Sequence, residues 1–215
     1  MFKNTVLFVS CLLLFAACNS TSTSTTQTVD PTENVDPAPQ PAVPAASTAL
    51  PMEGENYKIS VVDAKIKSPR KELTGTLAGV PLKINYGSPA VNDRAIFGDL
   101  VPFEKVWRTG ANEATRITFD DDVMVGEANK KLPAGTYALF TMPSESDEWT
   151  VIFNKNADQW GAYDYDEADD ALRIKAAAVP IDSKQERMDF ILTDNEVMLM
   201  WDDRGLMFPV TATSK

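Results

Sequence analysis

The residues best suited to chemistry fall in two short stretches, and no histidine occurs anywhere in the chain. Without histidine, Ser-His-Asp and Cys-His nucleophilic catalysis, histidine zinc sites and histidine haem ligation are all excluded. What remains is carboxylate chemistry, an oxygen-ligand site for a hard metal, or binding without catalysis. The first stretch, residues 94–115, holds Arg94, Trp107, Arg108, Asn112 and Glu113. The second follows Asn154 and holds Asp158, Trp160, Gly161, Tyr163, Asp164, Tyr165, Asp166, Glu167, Asp169 and Asp170. Aromatic faces beside planar polar groups suit a saccharide, whose apolar ring face stacks on an indole while its hydroxyls seek carboxylates, amides and guanidinium groups. Arg94, Trp107, Arg108, Asn112, Glu113 and Trp160 are therefore the candidate ligand-binding residues.

Each stretch also has a plainer reading. Trp107 can plug one end of a β-sandwich while Arg108, Asn112 and Glu113 bond to backbone groups and to each other. The acidic run after Trp160 can be a solvated surface loop. Its spacing is not that of a calcium helix-loop-helix, because Lys175 stands where a bidentate Glu is needed and no central glycine is present. No metal and no cofactor is expected. If the site were catalytic, Glu113 would pair with Asp164 or Asp170 in acid/base glycoside cleavage. The balance of residues favours binding over catalysis.

Positioning such residues falls to short strands. Period-two alternation places Val80, Leu82, Ile84 and Tyr86 on one face, as it does Thr115, Ile117 and Phe119. Further runs are Tyr137 and Leu139; Trp149, Val151 and Phe153; Leu172 and Ile174; Met188, Phe190 and Leu192; Val197, Leu199 and Trp201; and Leu206, Phe208 and Val210. Turn residues separate them at 132–135, 143–146, 194–195 and 202–205. The pattern predicts an all-β domain, an antiparallel β-sandwich or jelly-roll-like barrel, with a short helix only near Ala168–Leu172. The 94–115 stretch is then a long connection ahead of a strand, a place where function concentrates.

The N-terminus carries a different message. Lys3 precedes an apolar run from Val6 to Phe15, too short for a bilayer span, which takes about twenty residues. The run ends in Ala16-Ala17-Cys18, similar to a bacterial lipobox, in which the cysteine thiol is acylated before cleavage. Phe15 would fit badly three residues before an ordinary signal-peptidase cut, which favours the lipoprotein reading. Residues 1–17 are thus expected to be a signal peptide, with Cys18 the lipidated, palmitate-bearing first residue of the mature chain. With Cys11 removed and Cys18 acylated, no thiol is left for a disulfide. Residues 18–56, rich in Ser, Thr and Pro, are predicted to be a disordered tether, with the domain spanning 57–215. Removing Lys3 from the 20 basic residues leaves 19 against 31 acidic ones, a net charge of −12 that argues against nucleic acid as a partner. The membrane is then a partner only through the lipid on Cys18. Asn19 after the cysteine, with no early acidic pair, predicts a periplasm-facing anchor in the cell envelope.

The run from Val106 to Thr115, with Ile96-Phe97-Gly98 and Leu100-Val101-Pro102 before it, resembles the domain of unknown function 2911 family. Ala134–Phe140, Trp149–Asn154 and Trp160-Gly161 extend the resemblance, which covers about Ser68 to Val210. The family pattern has an Arg before the Pro and a Lys-Gly pair before the final Arg around residues 86–94. Here Ser88, Asn92 and Asp93 stand in those places. The resemblance implies export, its members being similar to exported proteins of Bacteroidota, and implies no activity. The sequence therefore reads as a lipid-anchored envelope protein binding a small polar ligand, a saccharide or peptide fragment. A glycoside hydrolase is one alternative. The other is an assembly partner of another envelope protein, with Met188, Met198, Met200 and Met207 contributing to its contact surface.

Overall fold

The computed structural model describes residues 53–213; Cys18, the signal segment and the tether up to residue 52 lie outside them. Ten strands follow one another: β1 (Tyr57–Asp63), β2 (Arg70–Leu77), β3 (Val80–Gly87), β4 (Thr115–Phe119), β5 (Val123–Val125), β6 (Lys130–Leu132), β7 (Gly135–Met142), β8 (Glu148–Asn154), β9 (Asp170–Leu192) and β10 (Glu196–Ala212). All pair antiparallel in one sheet of order β1-β2-β3-β4-β7-β8-β9-β10-β5-β6. The domain is therefore all-β, as expected, and β1 and β6 remain as free edges, so the sheet is not closed into a barrel.

Chain connectivity forces this sheet to curl. Three residues separate Phe119 from Val123, a link reaching at most about 14 Å. Yet β4 and β5 are five places apart in the sheet, which would be about 24 Å if it were flat. Curling turns one face inward, and the residues predicted from alternation line it: Leu82, Ile84, Ile117, Leu139, Val151, Phe153, Phe190, Leu199 and Phe208 are all buried in a single cluster. The sandwich-like closure is pinned by Asn56, whose Nδ2 donates to the Thr193 carbonyl at 2.9 Å, and by Lys71 of β2, whose Nζ lies 2.5 Å from Asp189 of β9.

Three expectations are corrected. The runs around Ile174 and Phe190 belong to one strand, β9, and those around Leu199 and Phe208 to another, β10. Residues 202–205 are no turn. Pairing slips from Met200 opposite Asp189 to Asp202 opposite Gln185, then to Arg204 opposite Pro180, so β9 carries the surplus residues as bulges. Asp202 absorbs the distortion with φ of 53°. Near residue 168 there is only a 3₁₀ turn, Glu167–Asp169, capped by the Asp166 carboxylate accepting from the Ala168 N–H. β1, β2, β5 and β6 are strands that alternation did not reveal.

Part of the outer face is also covered. Ala114, Ala138, Phe140 and Ile152 point away from the main core and form a second cluster, packed by Val106, Ala162 and Tyr165. The Phe140 and Tyr165 rings meet edge to face at 5.1 Å. That second cluster seats the loops after Val106 and after Asn154 side by side on β4, β7 and β8.

Candidate functional site

The loop from Trp107 to Ala114 is fixed at both ends by backbone pairing. Trp107 exchanges two hydrogen bonds with Thr141, at 2.8 and 2.9 Å, and the residue is 9% exposed. The ring stacks on Trp201 at 5.7 Å and 17°, with Phe97 edge-on to both. Trp107 thus plugs the end of the core, as the plainer reading had it, while one edge still lines a cleft. Further along, Gly161 N–H donates to the Asn112 carbonyl and Ala114 N–H to the Gln159 carbonyl, both at 3.1 Å, so Glu113 sits opposite Trp160. Gly87 lies under the loop so closely that a Cβ there would stand 2.1 Å from the Ala111 oxygen.

The six candidate residues divide between two clefts, which share the loop as a wall. Arg94, Trp107, Arg108 and Asn112 line a cleft of about 250 Å³. Glu113 and Trp160 line another of about 260 Å³, together with Arg116, Asp158 and Gln159. Asp164 and Asp170 line neither. Asp170 is engaged elsewhere, accepting from Asn154, from the Tyr165 hydroxyl at 2.8 Å and from Arg173 at 2.6 Å. Burial, and then the adjacent Asp170 carboxylate, push the Tyr165 hydroxyl up to about 12, with Arg173 opposing.

Both carboxylates that line the Trp160 cleft, Glu113 and Asp158, are paired with a guanidinium group. Arg116 holds Asp158 at 2.5 Å, and Arg70 lies 3.4 Å from the Glu113 carboxylate. Both guanidinium groups donate to the Asn85 side-chain oxygen, Arg70 at 2.6 Å and Arg116 at 3.5 Å. Arg70 is buried and also reaches the Glu113 and Ala114 carbonyls, so it clamps the loop from below. Burial pushes its guanidinium below the ordinary value, Glu113 opposes that, and Arg116 adds to it. Above this network the Trp160 indole is 57% exposed, and Tyr163 is 83% exposed. Gln159, only 7% exposed, donates through Nε2 to the Asn156 carbonyl at 2.6 Å, while its Oε1 is buried without a hydrogen-bond partner among the described residues. Gln159, Arg116, Arg70 and Asn85 are site residues that the sequence reading missed. Arg116 alternates with Ile117 on β4 and so faces outward, which was readable; its meeting with Asp158 was not. No group of acidic or cysteine side chains among the described residues is arranged to hold a metal ion.

In the other cleft Arg94 donates from Nε to the Val91 carbonyl at 2.9 Å and from Nη2 to the Ala90 carbonyl, and Asn112 has φ of 64°. Between them the backbone turns left-handed at Thr109, with φ of 52°, rare for a buried β-branched residue. Its hydroxyl contacts the Trp107 carbonyl and the Thr141 hydroxyl, and its own carbonyl accepts from Thr115 Oγ1 at 2.7 Å.

The fold and these clefts define a β-sandwich-like domain with two loops pinned across its outer face. The chain belongs to the family described as protein of unknown function (DUF2911), which it matches over residues 68–210. No curated protein matches the chain. No solved structure matches it.

Proposed function

We propose that this is a lipid-anchored protein of the bacterial envelope whose β domain binds a small polar ligand, a saccharide, in the cleft beneath Trp160. The observation that carries this reading is a cleft lined by the half-exposed Trp160 and by Gln159, whose buried Oε1 has no hydrogen-bond partner among the described residues. A buried acceptor left unpaired costs about 1–3 kcal/mol, and a sugar hydroxyl is a donor of the right size to satisfy it. The indole supplies a stacking face, and the Glu113, Arg116 and Asp158 side chains supply the planar partners that further hydroxyls need. Among the described residues no helix is long and apolar enough to cross a membrane. Envelope anchoring is assigned to acylation of Cys18, on the strength of the lipobox-like Ala16-Ala17-Cys18. Cleavage would need a carboxylate acting opposite Glu113; Asp158 is the one in reach of that cleft, and it is 83% exposed and tied to Arg116.

The test is titration of the full-length protein with neutral oligosaccharide and peptidoglycan fragments, read by tryptophan fluorescence and melting temperature. Trp107, Trp149 and Trp201 are buried, so a saccharide seated in the cleft changes mainly the Trp160 emission. Trp160→Ala is expected to remove the fluorescence response, and Gln159→Leu to weaken binding about tenfold. No response to any fragment, or a response that survives Trp160→Ala, would rule this function out.

A further inference from the structure

We propose that the cleft on the Arg108 side of the loop is a second, separate site, which takes a small ligand through an oxyanion group, a carboxylate or a phosphate. The deep group is Arg108, whose Nε is buried and has no hydrogen-bond partner among the described residues. Lys67 and Arg94 stand exposed at the rim of the same cleft, and Asn112 adds an amide. No carboxylate among the described residues lines this cleft. Among the described residues none of these three cations forms an ion pair with an acidic side chain. The acid tied to the rim, Glu186, is occupied by the Asn92 amide at 3.0 Å.

Three unpaired cations around one concavity reverse the local sign in a chain whose formal charge is −11. The Trp160 cleft makes the contrast: there two guanidinium groups meet two carboxylates. Removing a guanidinium N–H from water without giving it an acceptor is unfavourable, and a planar oxyanion returns that loss with charge-assisted hydrogen bonds. Burial already pushes the Arg108 guanidinium below its ordinary value, with Tyr163 opposing. The left-handed backbone at Thr109 has the same sense, since strain of this kind persists where it aims a neighbouring functional group. The overall acidity repels long polyanions while a compact anion can enter a cleft of about 250 Å³. The basic groups here are not those absent near Ser88 and Asn92; Arg94 remains, and Arg108 and Lys67 come from other segments.

Calorimetric titration of the full-length protein with inorganic phosphate, acetate and glucuronate, with glucose as the neutral counterpart, tests the site. At least one anion is expected to bind and to raise the melting temperature. Binding of phosphate alone identifies a phosphate ester as the source, and binding of acetate and glucuronate a carboxylate. Arg108→Gln is expected to weaken that binding about tenfold or more, while Trp160→Ala leaves it unchanged, which separates this site from the saccharide cleft. Should Arg108→Gln fail to fold, Lys67→Glu at the exposed rim reads the same field and is expected to weaken binding at least threefold or so. If none of the three anions binds, or if they bind equally well to the Arg108 or Lys67 variant, the proposal is wrong.

Discussion

At the scale of single residues, the most demanding group is Lys71. Its side chain is 10% exposed, faces the core side of β2 and has one acidic partner among the described residues, Asp189, whose side chain is 3% exposed. Tyr86 completes the triad by donating its hydroxyl to Asp189 at 3.0 Å, and burial, then the adjacent carboxylate, drives that hydroxyl well above its ordinary range. Taking away one partner of such a pair strands the other charge. Asp189→Asn is therefore expected to cost about 3–5 kcal/mol in urea denaturation, whereas the double replacement Lys71→Met with Asp189→Leu recovers most of it. A loss below about 1 kcal/mol would place the pair among ordinary surface contacts. The same residues explain why β2 was illegible in the sequence. Arg70 and Lys71 read as solvent-facing, yet both are buried, and they break the polar-outward pattern on which alternation depends. Arg108 was legible as a candidate from its type, but the separation of its cleft from that of Glu113 follows from backbone pairing with Trp160, which no local spacing encodes.

At the scale of elements, the loop from Trp107 to Ala114 depends on what lies beneath it. The end of β3 and residues 110–112 approach so closely that Gly87 has no room for a side chain, and the obstacle is the Ala111 backbone oxygen, which cannot swing aside. Gly87→Ala is expected to destabilise the domain by about 1–3 kcal/mol through overpacking. It should also shift the loop that walls both clefts, so glycan and anion binding weaken together, unlike the selective losses from Trp160→Ala or Arg108→Gln. Retention of both affinities would mean that the loop holds its place without β3. The elements that alternation revealed, β3, β4, β7 and β8, are those buried on their inner face along their whole length. β1 buries only Ile59 and leaves Val61 and Val62 in water, and β5 and β6 are three residues each, too short to show a period. β9 read as two runs because its middle, around Pro180 and Asp182, bulges away from regular pairing and buries little.

At the scale of the whole molecule, two properties that are often joined are here separate: what holds the domain together and what would hold it at a membrane. Both cysteines, Cys11 and Cys18, precede the described residues, so the fold at 53–213 depends on its core and on the Lys71–Asp189 and Asn56–Thr193 ties, with no disulfide. Its formal charge gives it no electrostatic attraction to anionic lipid. Under the proposed anchoring, attachment would fall to acyl chains on Cys18, each buried methylene adding about 0.8 kcal/mol. Cys18→Ala, expressed in a Gram-negative host, is expected to abolish incorporation of labelled palmitate and to move the protein from the membrane to the soluble fraction. Its melting temperature and both proposed binding activities should stay at those of the unaltered chain, because Cys18 lies outside the described domain, residues 53–213. The stretch from Asn19 to Asn56 contains no Lys or Arg, so trypsin has no site there, whereas a glutamate-specific protease can cut after Glu33 and release the domain from membranes. If the Cys18→Ala chain still sediments with membranes and still carries label, attachment lies elsewhere and the order of Lys3, apolar run and Ala16-Ala17-Cys18 has been misread. If it is released but loses its ligands, anchoring and binding are coupled, and the clefts work only at the membrane surface.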